Sequence, residues 1–222
     1  MLATVDEEGK PFSDDVIMGN LLTMLLAGED TTAFTLGWAI HQLCDNPKWS
    51  AEIRREADAV ISGAVADTLE TANKLSWASA VAYETMRLRP VAPVIVVEAN
   101  VDTAVGGRFV PKGTRIATLL RPPATDPNNF IDPLEFKPER WLGVHDGPHN
   151  VSAHTPFGSG PRLCPGRSLA LIEMNALLSM LYKDFDVERA GDSKTVSERF
   201  GFTMSPVGLR VRLHPRLGGV AA

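Results

Sequence analysis

The sequence predicts a mainly α-helical chain with small β-sheets, and three observations lead there. From Ser13 to about Cys44 the chain stays rich in apolar residues for roughly thirty positions without a proline. A second helical pattern runs from Arg167 to Tyr182, directly behind a glycine- and proline-punctuated loop that carries a cysteine. Between them, Val94 to Val97 and Arg115 to Leu120 turn to strand-like content bounded by Gly106-Gly107 and Pro111-Lys112-Gly113.

Each element has a local reason. Ser13 suits an N-cap, Asp14 and Asp15 complement the helix dipole, and Val16, Ile17, Leu21, Leu22, Met24, Leu25 and Leu26 continue the first helix. At 1.5 Å per residue it would be about 45 Å long, and its apolar centre predicts burial. Asn46-Pro47 ends it and opens an amphipathic helix through Lys48 to Glu56, whose charges read as a solvated face. A third helix runs from Ser76 or Trp77 to Leu88, stops before Arg89-Pro90, and places Glu84 and Arg87 at an i, i+3 spacing. Near the end, Phe200 to Pro206 and Gly208 to Leu213 predict two short strands joined at Pro206-Val207-Gly208.

Composition narrows the function classes. With 222 residues, 44% hydrophobic and 22% charged, the chain reads as one continuous globular domain without repeats. A net charge of −5 with scattered Lys and Arg speaks against nucleic-acid binding and for a small molecule or a protein as partner. Met1 to Lys10 is polar and lacks a signal-type apolar region, and no run of 18 apolar residues occurs, so no membrane anchor is expected. The two cysteines, Cys44 and Cys164, are better used as thiols than as a disulfide, which predicts a reducing, cytoplasmic setting.

Two polar interruptions carry chemistry. Ala27-Gly28-Glu29-Asp30-Thr31-Thr32 places an acid and hydroxyls in an apolar helix; either the threonines bond back to carbonyls four residues earlier, or the patch is a site. In Phe157-Gly158-Ser159-Gly160-Pro161-Arg162-Leu163-Cys164-Pro165-Gly166, the cysteine falls at a helix N-terminus, where the dipole and Arg162 favour a thiolate. A lone cysteine is also commonly an inert core thiol. The glycines permit positive φ and close backbone approach to the sulfur.

Phe157, Gly160, Arg162, Cys164 and Gly166 together resemble the heme-binding loop of the cytochrome P450 monooxygenases, and Ala27 to Thr32 resembles that family's oxygen-activation segment. The resemblance covers Ser13 to about Pro215 and implies the C-terminal half of the P450 fold, with a long central helix and a heme-binding cysteine loop. It implies that Cys164 is the axial ligand of the iron of heme b (iron protoporphyrin IX), that Arg162 pairs with a propionate, and that Phe157, Gly158 and Gly166 shape the cofactor loop. Gly28 would leave room for dioxygen, and Asp30 and Thr31 would relay protons, with local helix widening. Glu84-x-x-Arg87 with Arg140, from Pro138-Glu139-Arg140-Trp141, would form a buried network that fixes the loop behind the cysteine. Val94 and Ile95, then Val96, are candidate substrate contacts in an apolar stretch, and Val207 is another.

The implied activity is insertion of one oxygen atom from dioxygen into an apolar organic substrate, with electrons from a ferredoxin or flavoprotein. Two departures qualify it. Val97-Glu98 stands where many relatives carry an arginine for the second propionate, leaving Arg121 as a substitute. A full-length member is also about twice as long, so residues 1–222 read as one partial domain, and the alternative is a truncated, non-catalytic heme-binding or interaction piece. Peroxide-driven oxygenation or dehydration is a third reading, against which an intact Asp30-Thr31 argues.

Overall fold

A computed structural model describes residue 5, residues 9–61 and residues 69–216; most of the polar Met1 to Lys10 segment lies outside the described residues. The order is α1 (Asp14–Asp45), α2 (Pro47–Val60), α3 (Leu69–Asn73), α4 (Ser76–Leu88), β1 (Val94–Glu98), β2 (Thr103–Val105), β3 (Arg108–Val110), β4 (Arg115–Leu119) and α5 (Arg121–Ala124). Short 3₁₀ turns then lead to α6 (Arg167–Asp184), β5 (Phe185–Arg189), β6 (Ser197–Phe200), β7 (Met204–Val207) and β8 (Val211–Pro215). The strands form antiparallel pairs β1–β4, β2–β3, β5–β8 and β6–β7.

The core lies where α1, α2, α4 and α6 meet. Ala39 and Leu43 of α1, Trp49, Ile53 and Ala57 of α2, Ala78 and Val81 of α4, and Leu178 and Tyr182 of α6 pack together with Phe136. Each helix turns one apolar stripe to this centre, which is how a short helix gains stability from packing rather than propensity.

Three expectations change. The long helix begins where expected, with the Ser13 side chain accepting from the Val16 N–H at 3.4 Å, but its first half is not buried. Its buried residues start at Thr32, while Met18, Leu21, Leu22, Leu25 and Leu26 are exposed. The described helices and strands that pack on α1 bury only its second half, so apolar content alone did not determine burial there.

The terminal strands differ from the two expected over Phe200 to Pro206 and Gly208 to Leu213: three form there among the described residues, and the two flanking Gly208 do not pair with each other. β8 pairs with β5, Val187 opposite Leu213, and β7 pairs with β6, Val207 opposite Ser197. Val207 therefore ends a ladder, and the break at Gly208 (φ +87°) sends the chain to another sheet.

The charges of α2 are not uniformly solvated either. Glu56 is buried and caps α4: its carboxylate accepts from the Ser76 hydroxyl at 2.7 Å and from the Trp77 N–H at 2.9 Å. Leu75 occupies the N-cap position of α4 and has no side-chain acceptor, so a carboxylate from the neighbouring helix satisfies these donors instead.

Candidate functional site

The polar patch lies where an unbroken helix passes from exposed to buried, with Thr32 its first buried residue. Gly28 and Asp30 are exposed and Thr31 is half-buried. The Thr31 hydroxyl donates to the Ala27 carbonyl at 2.7 Å and the Thr35 hydroxyl to the Thr31 carbonyl at 2.8 Å. These bonds replace the expected helix widening: α1 remains α-helical throughout, because each hydroxyl returns to the preceding turn. A Cβ added at Gly28 would meet nothing within 4 Å, so the helix surface beside Thr31 is open.

The cysteine loop is built by two left-handed glycines. Gly158 has φ +74° and Gly160 φ +64°, and a 3₁₀ turn over Gly160–Arg162 follows. The Gly158 N–H donates to the Thr155 carbonyl at 3.0 Å, and the Cys164 N–H returns to the Phe157 carbonyl at 2.9 Å. Cys164 is thereby held at the mouth of α6 with an exposed, free thiol, and Arg162 is exposed beside it. Gly166 has an ordinary φ of −84°, so its value is not conformational. A Cβ there would stand 3.8 Å from Cys164 Sγ, filling space next to the sulfur.

Phe157 ties this loop to the packing between α4 and α6. It packs against the buried Ala82 and Met86 of α4 and Met174 of α6, a cluster that Leu36 of α1, Tyr83 of α4 and Ala170 and Leu171 of α6 also flank. Leu36 lies five residues, about a turn and a half, beyond Thr31. Phe157 of the cysteine loop and Leu36 of α1 thus flank one apolar cluster.

The strand candidates divide by face. Val94 lines an apolar recess of about 320 Å³ with Leu119, Pro122, Phe200 and Met204. Ile95 faces the other way, as strand alternation requires: a Cβ at Gly158 would lie 3.7 Å from Ile95 Cδ1. Val96 is exposed, and Val207 does not line that recess. Arg121 holds Glu198 with N–H···O distances of 3.0 and 2.7 Å, and Arg89 bonds the same carboxylate, so Arg121 is committed to an ion pair. Although burial works against the charged form, these two guanidiniums hold the Glu198 carboxyl below its ordinary range.

Behind the loop, Glu84, Arg87 and Arg140 form a buried network. Arg87 Nε donates to Glu84 Oε2 at 2.9 Å and Arg87 Nη2 to Oε1 at 2.8 Å, while Arg140 Nε donates to Oε1 at 3.1 Å. The left-handed turn at Asp132 (φ +45°) is followed by the Pro133 and Glu135 carbonyls, which accept from Arg87 at 2.6 and 3.1 Å. Burial alone would raise the Glu84 pKa; the hydrogen bonds and charge of Arg87, helped by Arg140, reverse that and leave it lowered.

Three residues that the sequence reading passed over belong to this region. The Trp141 indole N–H donates to Glu84 Oε2 at 2.9 Å. Buried His154 packs against Trp141 and Tyr83, and Tyr83 accepts weakly from Arg167 Nη2 at 3.4 Å. The signal was present only as adjacency: Trp141 follows Arg140, and His154 stands three residues before Phe157.

The donor set fits heme ligation: a soft, exposed thiol at a helix N-terminus, beside a glycine that leaves the sulfur uncovered. A family model, "Cytochrome P450", matches residues 1–213. The chain belongs to the cytochrome P450 family. It is 33% identical over 189 residues to "Cytochrome P450 4V2" of Mus musculus, covering 85% of this chain and 36% of that protein. With "Flavonoid 3'-monooxygenase" of Arabidopsis thaliana it shares 34% identity, over 96% of this chain and 44% of the relative. The solved "cytochrome P450DA heme domain" superposes with a TM-score of 0.89 at 28% identity, covering 98% of this chain and 49% of that one. This P450 chain thus spans about half of that heme domain and less than half of these curated relatives. Among its described residues no helix is long and apolar enough to cross a membrane.

Proposed function

We propose that this chain is the cysteine-ligand half of a heme-thiolate monooxygenase acting on an apolar organic substrate, with residues 1–222 forming one partial P450 domain. The observation that carries this reading is the placement of Cys164: an exposed thiol at the mouth of α6, in a loop whose Phe157 packs on the same apolar cluster that Leu36, on the helix bearing Thr31, also flanks. Heme b, when bound, supplies reductive activation of dioxygen with two electrons from a ferredoxin or flavoprotein, one oxygen atom entering the substrate and the other leaving as water.

The chain's own residues have separate parts. Cys164 would hold the iron as its thiolate, and Arg162 would pair with a propionate. Gly28 leaves the α1 surface open. Thr31 donates its proton to the Ala27 carbonyl, so its oxygen keeps lone pairs that can accept from a water, and exposed Asp30 can pass protons from solvent to that water. The recess at Val94 suits an apolar group, and Ile95 closes the loop side. Both cysteines are free, which supports a reducing, cytoplasmic setting.

The reduced, carbon-monoxide-bound spectrum of the heme-supplied chain tests this reading. A strongly red-shifted Soret band that vanishes in Cys164→Ala supports thiolate ligation; a spectrum of free or histidine-bound heme sinks it. One observation favours the second reading, a heme-binding or interaction piece without turnover: Leu21, Leu22, Leu25 and Leu26 of α1 stand in water. A red-shifted band without oxygenated product, under a supplied electron donor, selects that reading.

A further inference from the structure

We infer that Trp141 is a positioning residue for Cys164, holding the cysteine loop from both of its ends. This rests on the heme-thiolate reading for its purpose but on Trp141's own contacts for its geometry.

Trp141 follows Arg140 in the 3₁₀ turn Pro138–Leu142, and its indole, which also meets the rings of Phe130 and His149, makes three contacts that bear on the loop. Its N–H donates to Glu84 Oε2 at 2.9 Å, a charge-assisted bond that ties the ring to the buried Glu84–Arg87–Arg140 network. Its face stacks on Tyr83 of α4, with centroids 5.4 Å apart and planes at 29°. It also packs on His154, centroid to centroid 5.1 Å.

The last two contacts bracket the loop. His154 ends the 3₁₀ turn Val151–Ala153 and stands three residues before Phe157, so its ring fixes the approach to the loop. Tyr83 accepts from Arg167, the first residue of α6, whose N–H bonds the Cys164 carbonyl at 3.3 Å. One side chain thereby links the buried ion network to the entry and the exit of the segment that presents the thiol. Trp141 and Tyr83 also line an open hollow of about 600 Å³ between α4 and α6, so a smaller side chain at 141 faces existing space rather than a new void in the core.

Amide hydrogen exchange of the heme-loaded protein, repeated without heme, tests the inference with Trp141→Phe and Trp141→Leu. The reporters are the Gly158 and Cys164 amides, bonded to Thr155 and Phe157 carbonyls, and the controls are Ile53 and Ala57 in α2. Loss of one hydrogen bond to a charged group corresponds to exchange about tenfold faster at the reporters in Trp141→Phe, more in Trp141→Leu, with the controls unchanged. Unchanged reporters, or reporters and controls accelerated together, overturn it. Failure of the heme reading is separate: wild-type protein then lacks the red-shifted band while the reporters still respond to Trp141→Phe.

Discussion

Glu84 and Arg87, three residues apart on α4, meet through two parallel hydrogen bonds of 2.8 and 2.9 Å with both side chains fully withdrawn from water. On an exposed helix such a pair contributes a few tenths of a kcal/mol. Buried, it changes character, because neither charge can be stranded without a large desolvation cost. Arg87→Ala should therefore destabilise the fold by about 3–5 kcal/mol, since Glu84 stays buried and loses its bidentate partner. Urea titrations followed by circular dichroism at neutral pH check this; a loss below about 1 kcal/mol contradicts it.

His154 gives the fold an acid limit. Burial is the main cause of a pKa lowered from 6.5 to about 4, with the Arg87 charge adding to it. The folded state prefers the neutral ring, and the unfolded chain takes up a proton near 6.5. Stability from this residue is fully present above about pH 6.5 and is lost as pH falls toward 4. The loss amounts to about 3 kcal/mol at most. His149, also lowered chiefly by burial and then by His145, acts in the same direction. In His154→Phe the change of urea midpoint between pH 7 and pH 5 should shrink; an unaltered change would show that other groups set the limit.

Glu56 can be tested as a cap acting between helices. Glu56→Ala leaves the Ser76 hydroxyl and the Trp77 N–H without their acceptor, and a loss of about 2 kcal/mol is expected. Glu56→Gln retains an acceptor oxygen and should recover part of it. Thermal unfolding of the two variants, read as the order of their Tm values, decides.

Thr31→Val removes a hydroxyl that, among the described residues, bonds the Ala27 carbonyl alone, on a half-buried site. Stability should change by less than about 1 kcal/mol, while product formation falls by at least about tenfold if the hydroxyl moves protons. The reduced carbon-monoxide spectrum should stay at its wild-type position. Turnover equal to wild type removes Thr31 from the proton route.

The sequence was readable wherever local chemistry decides structure. Ser13, the Asp14-Asp15 pair and Pro47 marked helix ends, and the periods of α4 and α6 held to within two residues. It was less readable where a distant residue decides. No local pattern tells that Val207 pairs with Ser197 while Leu213 pairs with Val187, because register belongs to two segments at once. The apolar run of α1 pointed to burial along its whole length, yet burial needs neighbours, and those on α1 begin near Thr32. Glu56 looked like any charge on an amphipathic helix; its role appears only when Leu75 brings an uncapped helix start beside it. At the candidate site, Cys164, Arg162 and the glycines stood out as a motif, whereas Trp141 and His154 act through ring contacts that no spacing announces.

The unbroken course of α1 also makes it a lever. Trp38, buried in its second half, donates its indole N–H to the Met204 carbonyl of β7 at 3.2 Å. One residue earlier, Gly37 lets that strand come so close that a Cβ would stand 3.0 Å from Pro206 Cγ. Thr31 lies seven residues away, about two turns or 10 Å along a rod with no hinge between. The seat of Trp38 on β7, together with the core packing of Ala39 and Leu43, therefore fixes how far along its axis the hydroxyl of Thr31 sits.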